Sequence, residues 1–197
     1  MRSLQARLSI ALIISLLVVI SLSWIVLSNT IRYVAEDYIL SHLQHDNEVL
    51  LAALDFGTNQ KPSLITDRIN SVYQRAFSGH YYLISTDTGE LRSRSLWDTE
   101  LIVPDTAAGE SHQLRLLGPQ QQKLIVLTIG YIKQGHNITI SVAEDVSGIE
   151  ADILIFQQRF TITAAVILLI LVGIQLIIIR SALHPLKNAS KEIRALE

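Results

Sequence analysis

The sequence has no cysteine, which excludes disulfides and thiolate metal sites and argues against redox chemistry. Glycine and proline are also sparse, and neither occurs between Ser28 and Gly57. Acidic side chains are scattered, with no run of three or more. Charge itself is missing from two stretches, Leu8 to Leu27 and Phe160 to Ile179, each 20 residues long. A helix of that length spans roughly 30 Å, the thickness of a bilayer's hydrocarbon core. Both read as membrane spans. A cleavable signal peptide would have a shorter apolar core and a small-x-small site, and neither is evident at the first span.

What charge there is lies unevenly. The flanks 1–7 and 180–197 each carry a net +2, whereas Ser28 to Arg159 holds 10 basic and 16 acidic side chains, a net of −6. Basic flanks stay in the cytoplasm, so the expected topology is in-out-in. The predicted organisation is a cytoplasmic terminus at 1–7, spans at 8–27 and 160–179, an outer domain over 28–159, and a cytoplasmic segment at 180–197. No nucleic-acid partner is expected. Trp24 lies near the outer end of the first span, where an indole can sit among headgroups.

Helical periodicity continues past Ser28, and Leu40, Leu43, Asn47, Leu50 and Leu54 form a stripe with three-then-four spacing. Such a stripe either packs on a twin helix, with Asn47 setting register, or covers the domain's own sheet. Gly57 to Pro62 reads as a loop, and a short helix capped by Ser63 or by Thr66-Asp67 is predicted up to Phe77. The pattern then changes to strands. Tyr81 to Ile84 and Leu91 to Leu96 flank the turn Asp87-Thr88-Gly89-Glu90, and further strands are predicted at His112–Leu117, Lys123–Lys133 and His136–Val142. Glu144-Asp145 is expected to open a helix that continues into the second span. About five antiparallel strands with helices define an α+β domain.

After the second span, His184-Pro185-Leu186 should break the helix, because proline lacks an amide donor and clashes with the preceding turn. Leu186, Ala189, Ile193 and Leu196 then resume a helical stripe. This junction resembles the start of a HAMP linker, with Pro185-Leu186 matching that family's Pro-Leu pair. The middle segment resembles extracytoplasmic PAS-like sensor domains of the PDC type. The resemblance rests on Tyr82-Leu83-Ile84 through Asp87-Thr88-Gly89 to Arg94-Ser95-x-Trp97, and on Ile138 to Asp145 as a last strand leading to the membrane.

The resemblance implies the sensor region of a bacterial two-component histidine kinase, working as a homodimer in the inner membrane with a response regulator as partner. ATP and Mg would be bound by a kinase domain and not by these residues, since no His-Glu-x-x-Thr-Pro box or Gly-rich lid is present. No catalytic residue is therefore assigned. A chemoreceptor sensor region, or a membrane-anchored binding protein without an output domain, shares the same outline. The stimulus stays open between a small molecule, an ion and pH. The resemblance suggests donors for a small carboxylate at Arg92, Arg94, Ser95, His112 and Arg115. His42, His45 and Asp46 lie within one helical turn and are candidates for a cation. Gln175 is the only amide side chain in either span and, with Pro185 and Leu186, is a candidate for signal transmission.

Overall fold

The computed structural model describes residues 2–57 and 60–193. Two long helices frame the chain. The first, α1, runs over Arg2–Ala53 and the second, α2, over Ser147–Ile193. Between them, among the described residues, lie seven strands: β1 (Leu54–Phe56), β2 (Pro62–Leu64), β3 (His80–Thr86), β4 (Gly89–Arg92), β5 (Ser111–Leu117), β6 (Lys123–Lys133) and β7 (His136–Asp145). The chain divides into two compact units. A helical unit comprises Met1–Arg32 with Ile153–Glu197, and a sheet unit comprises Tyr33–Asp152.

In the sheet unit, five strands form one antiparallel sheet in the order β4-β3-β7-β6-β5. Period-two alternation in β3, β6 and β7 gives the sheet two apolar faces. Tyr82, Ile84, Ile125, Leu127, Ile138, Ile140 and Val142 point to one face, where Ile39, Leu43, Leu50 and Ala53 of α1 cover them. Tyr81, Leu83, Leu124, Val126 and Ala143 point to the other, under Leu96 and Leu101 of the irregular segment after β4. Gly130 lets that segment cross β6 closely, since a Cβ there would run into the carbonyl oxygens of Thr106 and Ala107. The far end of α1 is closed by Lys133, whose ammonium donates to the carbonyls of Leu51 and Leu54 at 2.6 Å each.

Of the two partners open to the Leu40-to-Leu54 stripe, the structure selects the chain's own sheet: Leu43, Asn47, Leu50 and Leu54 are buried there, with Leu40 packed alongside. The helix expected up to Phe77 does not form. Its start is taken by the β1–β2 hairpin, and the rest is two 3-10 turns, Thr66–Arg68 and Ser71–Gln74. The second turn is capped by Asn70, whose side chain accepts from the Val72 amide and so favours a tight turn over a helix. The fourth strand is shorter than predicted, because a 3-10 turn at Arg94–Leu96 ends it. Glu144 and Asp145 close β7 instead of opening α2, and the helix begins two residues later.

The helical unit contains the two charge-free segments, and both helices are long and apolar enough to cross a membrane by length and composition. Hydrogen bonds among the described residues join them. Trp24 Nε1 donates to Thr161 Oγ1 at 3.1 Å, and Gln157 Nε2 donates to Ser28 Oγ at 2.6 Å. Trp24 thus has a helix partner besides its expected interfacial role. The break expected at His184-Pro185-Leu186 is absent, and α2 continues through it to Ile193. A single proline forfeits one backbone bond, and here strong helix formers such as Ala182, Leu183 and Ala189 flank it.

Candidate functional site

The most connected polar groups lie where α1 and α2 meet the sheet, within the sheet unit. On α1, the burial of Leu43, Asn47 and Leu50 turns His42 and Asp46, four residues apart, towards the rim of the same contact. Asn47 is wholly buried, and its amide donates to the Ile140 carbonyl of β7 at 3.0 Å. Its Oδ1 meets no partner among the described residues, which costs roughly 1–3 kcal/mol of desolvation. Asp46 Oδ2 accepts from the Tyr73 hydroxyl at 2.5 Å. Burial first, and then this bond, raises the Tyr73 pKa above the ordinary phenol value.

His42 Nδ1 lies 3.1 Å from Glu144 Oε2 on β7. The bond to Glu144 is the main cause of a raised His42 pKa, opposed by partial burial and helped by the charge of Asp46. His80 is the cross-strand partner of Glu144, with its ring centroid 6.3 Å from that of His42. One residue on, Asp145 Oδ1 accepts from the Ser147 amide at 2.9 Å and from its hydroxyl at 2.6 Å. The Lys123 amide of β6 donates to the same hydroxyl at 2.9 Å. The start of α2 is therefore fixed to two strands.

A second set of contacts surrounds Arg115 on edge strand β5. One guanidinium nitrogen lies 3.1 Å from Glu36 on α1 and the other 3.2 Å from Glu150 on α2. Gln113 donates to Glu36 at 2.8 Å, and Lys123 lies 2.7 Å from Glu150. The bond from Arg115 is the main cause of a lowered Glu36 pKa.

The predicted carboxylate donors do not converge. Arg92 ends β4 and donates to the Trp97 carbonyl at 3.2 Å, while Arg94 is exposed on the following turn. Ser95 is buried and donates to the His80 carbonyl at 2.6 Å. His112 and Arg115 lie on β5, at the opposite edge of the sheet and about four strand spacings away, roughly 19 Å. His112 is exposed, 3.8 Å from Glu110. The predicted cation set divides as well. His42 and Asp46 are engaged as described, and His45 is exposed on the other side of the helix. No three histidine, cysteine or carboxylate side chains among the described residues are arranged to hold a metal.

Gln175 lies half-buried in α2, within the helical unit. The side chains of Pro185 and Leu186 fall outside the described side chains. Glu36, Tyr73, Glu144 and Glu150 were not singled out for this site. Only Glu144 carried a signal, as part of the acidic pair before the second helix.

No family model and no solved structure matches the chain. The chain is similar to the Sensor protein kinase CarS of Pseudomonas aeruginosa, at 33% identity over 206 aligned positions. The match takes in 100% of this chain and 44% of that protein, so the chain spans less than half the length of the curated relative. The resemblance to the sensor region of a sensor histidine kinase is thereby borne out.

Proposed function

We propose that this chain is the sensing and relay part of a two-component histidine kinase. The sheet unit lies outside the cytoplasmic membrane, and segments 1–7 and 180–197 lie inside. The observation that carries this reading is the attachment of both span-bearing helices to one strand. α1 is buried on β7 through Asn47 and reaches its end through His42, and β7 leads through the Asp145–Ser147 cap into α2. A shift of β7 then acts on both helices. Similarity to a sensor kinase and the acidic middle between basic flanks support the same direction.

In this reading the sheet unit is a PDC-type sensor, segment 180–197 begins a HAMP linker at Pro185-Leu186, and Gln175 contributes to transmission inside the membrane. The working form is a homodimer. Because the Leu43 stripe is covered by its own sheet, the face of α1 left for a twin carries Tyr38, Ser41, His45 and Glu48. ATP, Mg and the response regulator belong to a kinase portion outside these residues. An anionic stimulus would meet two separate places, Arg92 with Arg94 at one sheet edge and His112 at the other.

A reporter enzyme active only outside the cytoplasm tests the arrangement. Fused after Ser111 it should be active, and fused after Glu197 it should be silent. The reverse pattern would overturn the reading.

A further inference from the structure

We propose that Arg115 is a positioning residue for signal relay, a clasp through which edge strand β5 holds α1 and α2 in one arrangement. This rests on the sensor-kinase reading above. The geometry is specific to a guanidinium. Its two terminal nitrogens each serve a different carboxylate, Nη2 to Glu36 Oε1 at 3.1 Å and Nη1 to Glu150 Oε1 at 3.2 Å. An ammonium can donate to two acceptors, as Lys133 does, but it offers one nitrogen in place of the planar fork whose separate nitrogens each serve one carboxylate here.

The surroundings complete the clasp. Gln113 stands two residues before Arg115, hence on the same face of β5, and donates to Glu36 at 2.8 Å. Lys123, where β6 begins, holds the second oxygen of Glu150 at 2.7 Å. Four elements thus meet at two carboxylates. Each group is also exposed to water, with Arg115 at 55%, Glu36 at 37% and Glu150 at 32%. Exposed pairs are individually weak and are screened by salt. Weak bonds are poor glue for a fold but well matched to a switch, where a small bias moves two states several-fold. Opening the clasp removes the link that β5 makes between Glu36 of α1 and Glu150 of α2, while the apolar contact of α1 with the sheet persists.

The test uses the native full-length protein in lipid nanodiscs, with spin labels at the exposed positions Asp37 and Asp152. The wild type should give one narrow distance between the labels. Arg115→Lys, which keeps the charge, should broaden it as much as Arg115→Gln, and about 1 M salt should broaden the wild type alike. If Arg115→Gln unfolds the sheet unit, Arg115→Lys still reads the bridge. A wild-type distribution in Arg115→Lys overturns the clasp. In cells, Arg115→Lys should change basal phosphorylation of the response regulator about threefold or more. Glu36→Gln and Glu150→Gln should be non-additive with each other only while Arg115 is present. A broadened distance with unchanged output, or full additivity, removes the role in relay and leaves the sensor reading standing. Output that is indifferent even to deletion of residues 33–152 would instead defeat that reading.

Discussion

The two halves of α1 show one helix composed for two environments. In the helical unit most of its large apolar side chains are exposed, among them Ile10, Leu17, Val19 and Leu22, with Ile13, Leu16, Ile20 and Leu27 half-buried. In the sheet unit the same helix buries one stripe and presents Asp37, Ser41, Gln44 and Glu48 on the opposite side. A helix apolar on every side suits lipid, and one with a single apolar stripe suits a water-bathed domain. The change falls between Leu27 and Arg32, where charge first returns. Helical secondary structure is therefore continuous through a boundary at which the sources of stability differ. On one side packing against the sheet supplies it, and on the other the apolar surface contributes nothing to the sheet's core.

The strongest way to break that contrast is to shorten one leucine in each half. Leu50→Ala, at 1% exposure in the sheet core, should destabilise the sheet unit by about 2–5 kcal/mol. Leu22→Ala, at 62% exposure, should leave its unfolding unchanged. Denaturant unfolding of the membrane-reconstituted chain, followed by Trp97 fluorescence, measures both. Equal effects would mean that the two halves do not differ as described. A smaller effect is expected from Tyr73→Phe, which removes the bond to Asp46 without removing the ring. Loss of a hydrogen bond to a charged group costs about 1.5–3 kcal/mol. Retained stability in that variant would mean the Asp46 contact adds nothing to the α1–sheet contact.

The sequence disclosed the sheet better than the site. Alternation in Tyr81 to Ile84 and in Lys123 to Lys133, with glycine turns between strands, is local information, and each of the five strands of the main sheet overlaps its predicted stretch, although β4 stops at Arg92 and β7 runs on to Asp145. The long helices were equally legible from their periodicity. The segment after Pro62 was not, because Leu64, Ile65, Ile69 and Val72 fit a helical stripe as well as two turns pinned by Asn70. The site was hidden for a different reason. Glu36 and Arg115 are far apart in sequence, on elements of different period, and nothing local in either residue specifies the other. Arg115 was singled out as a donor for an external carboxylate, and the carboxylates it faces are the chain's own. Asn47 was legible as a polar residue within an apolar stripe, yet only the packed structure shows that its partner is the Ile140 carbonyl.

The smallest effect expected concerns pH and sharpens the contrast at the rim of the α1–sheet contact. His42 faces Glu144 at 3.1 Å, with Asp46 one turn away on its own helix and Tyr73 and His80 on the elements packed against it. Its pKa is raised in the folded chain, chiefly by the bond to Glu144. A group whose folded pKa is raised binds its proton more tightly when folded. Its contribution is then complete below the unfolded value, about 6.5, and is lost as pH rises through the folded value. The side chain is 41% exposed, so screening keeps the effect small and added salt should reduce it further. His42→Gln retains a hydrogen-bonding side chain but cannot be charged. Wild type should therefore exceed His42→Gln in thermal stability at pH 5.5, and the difference should shrink as pH rises above about 6.5 and through the raised folded value. Leu22→Ala, in the apolar half, should track the wild type across the whole range. A gap between wild type and His42→Gln that stays constant with pH would show that the contact with Glu144 does not depend on the histidine's charge.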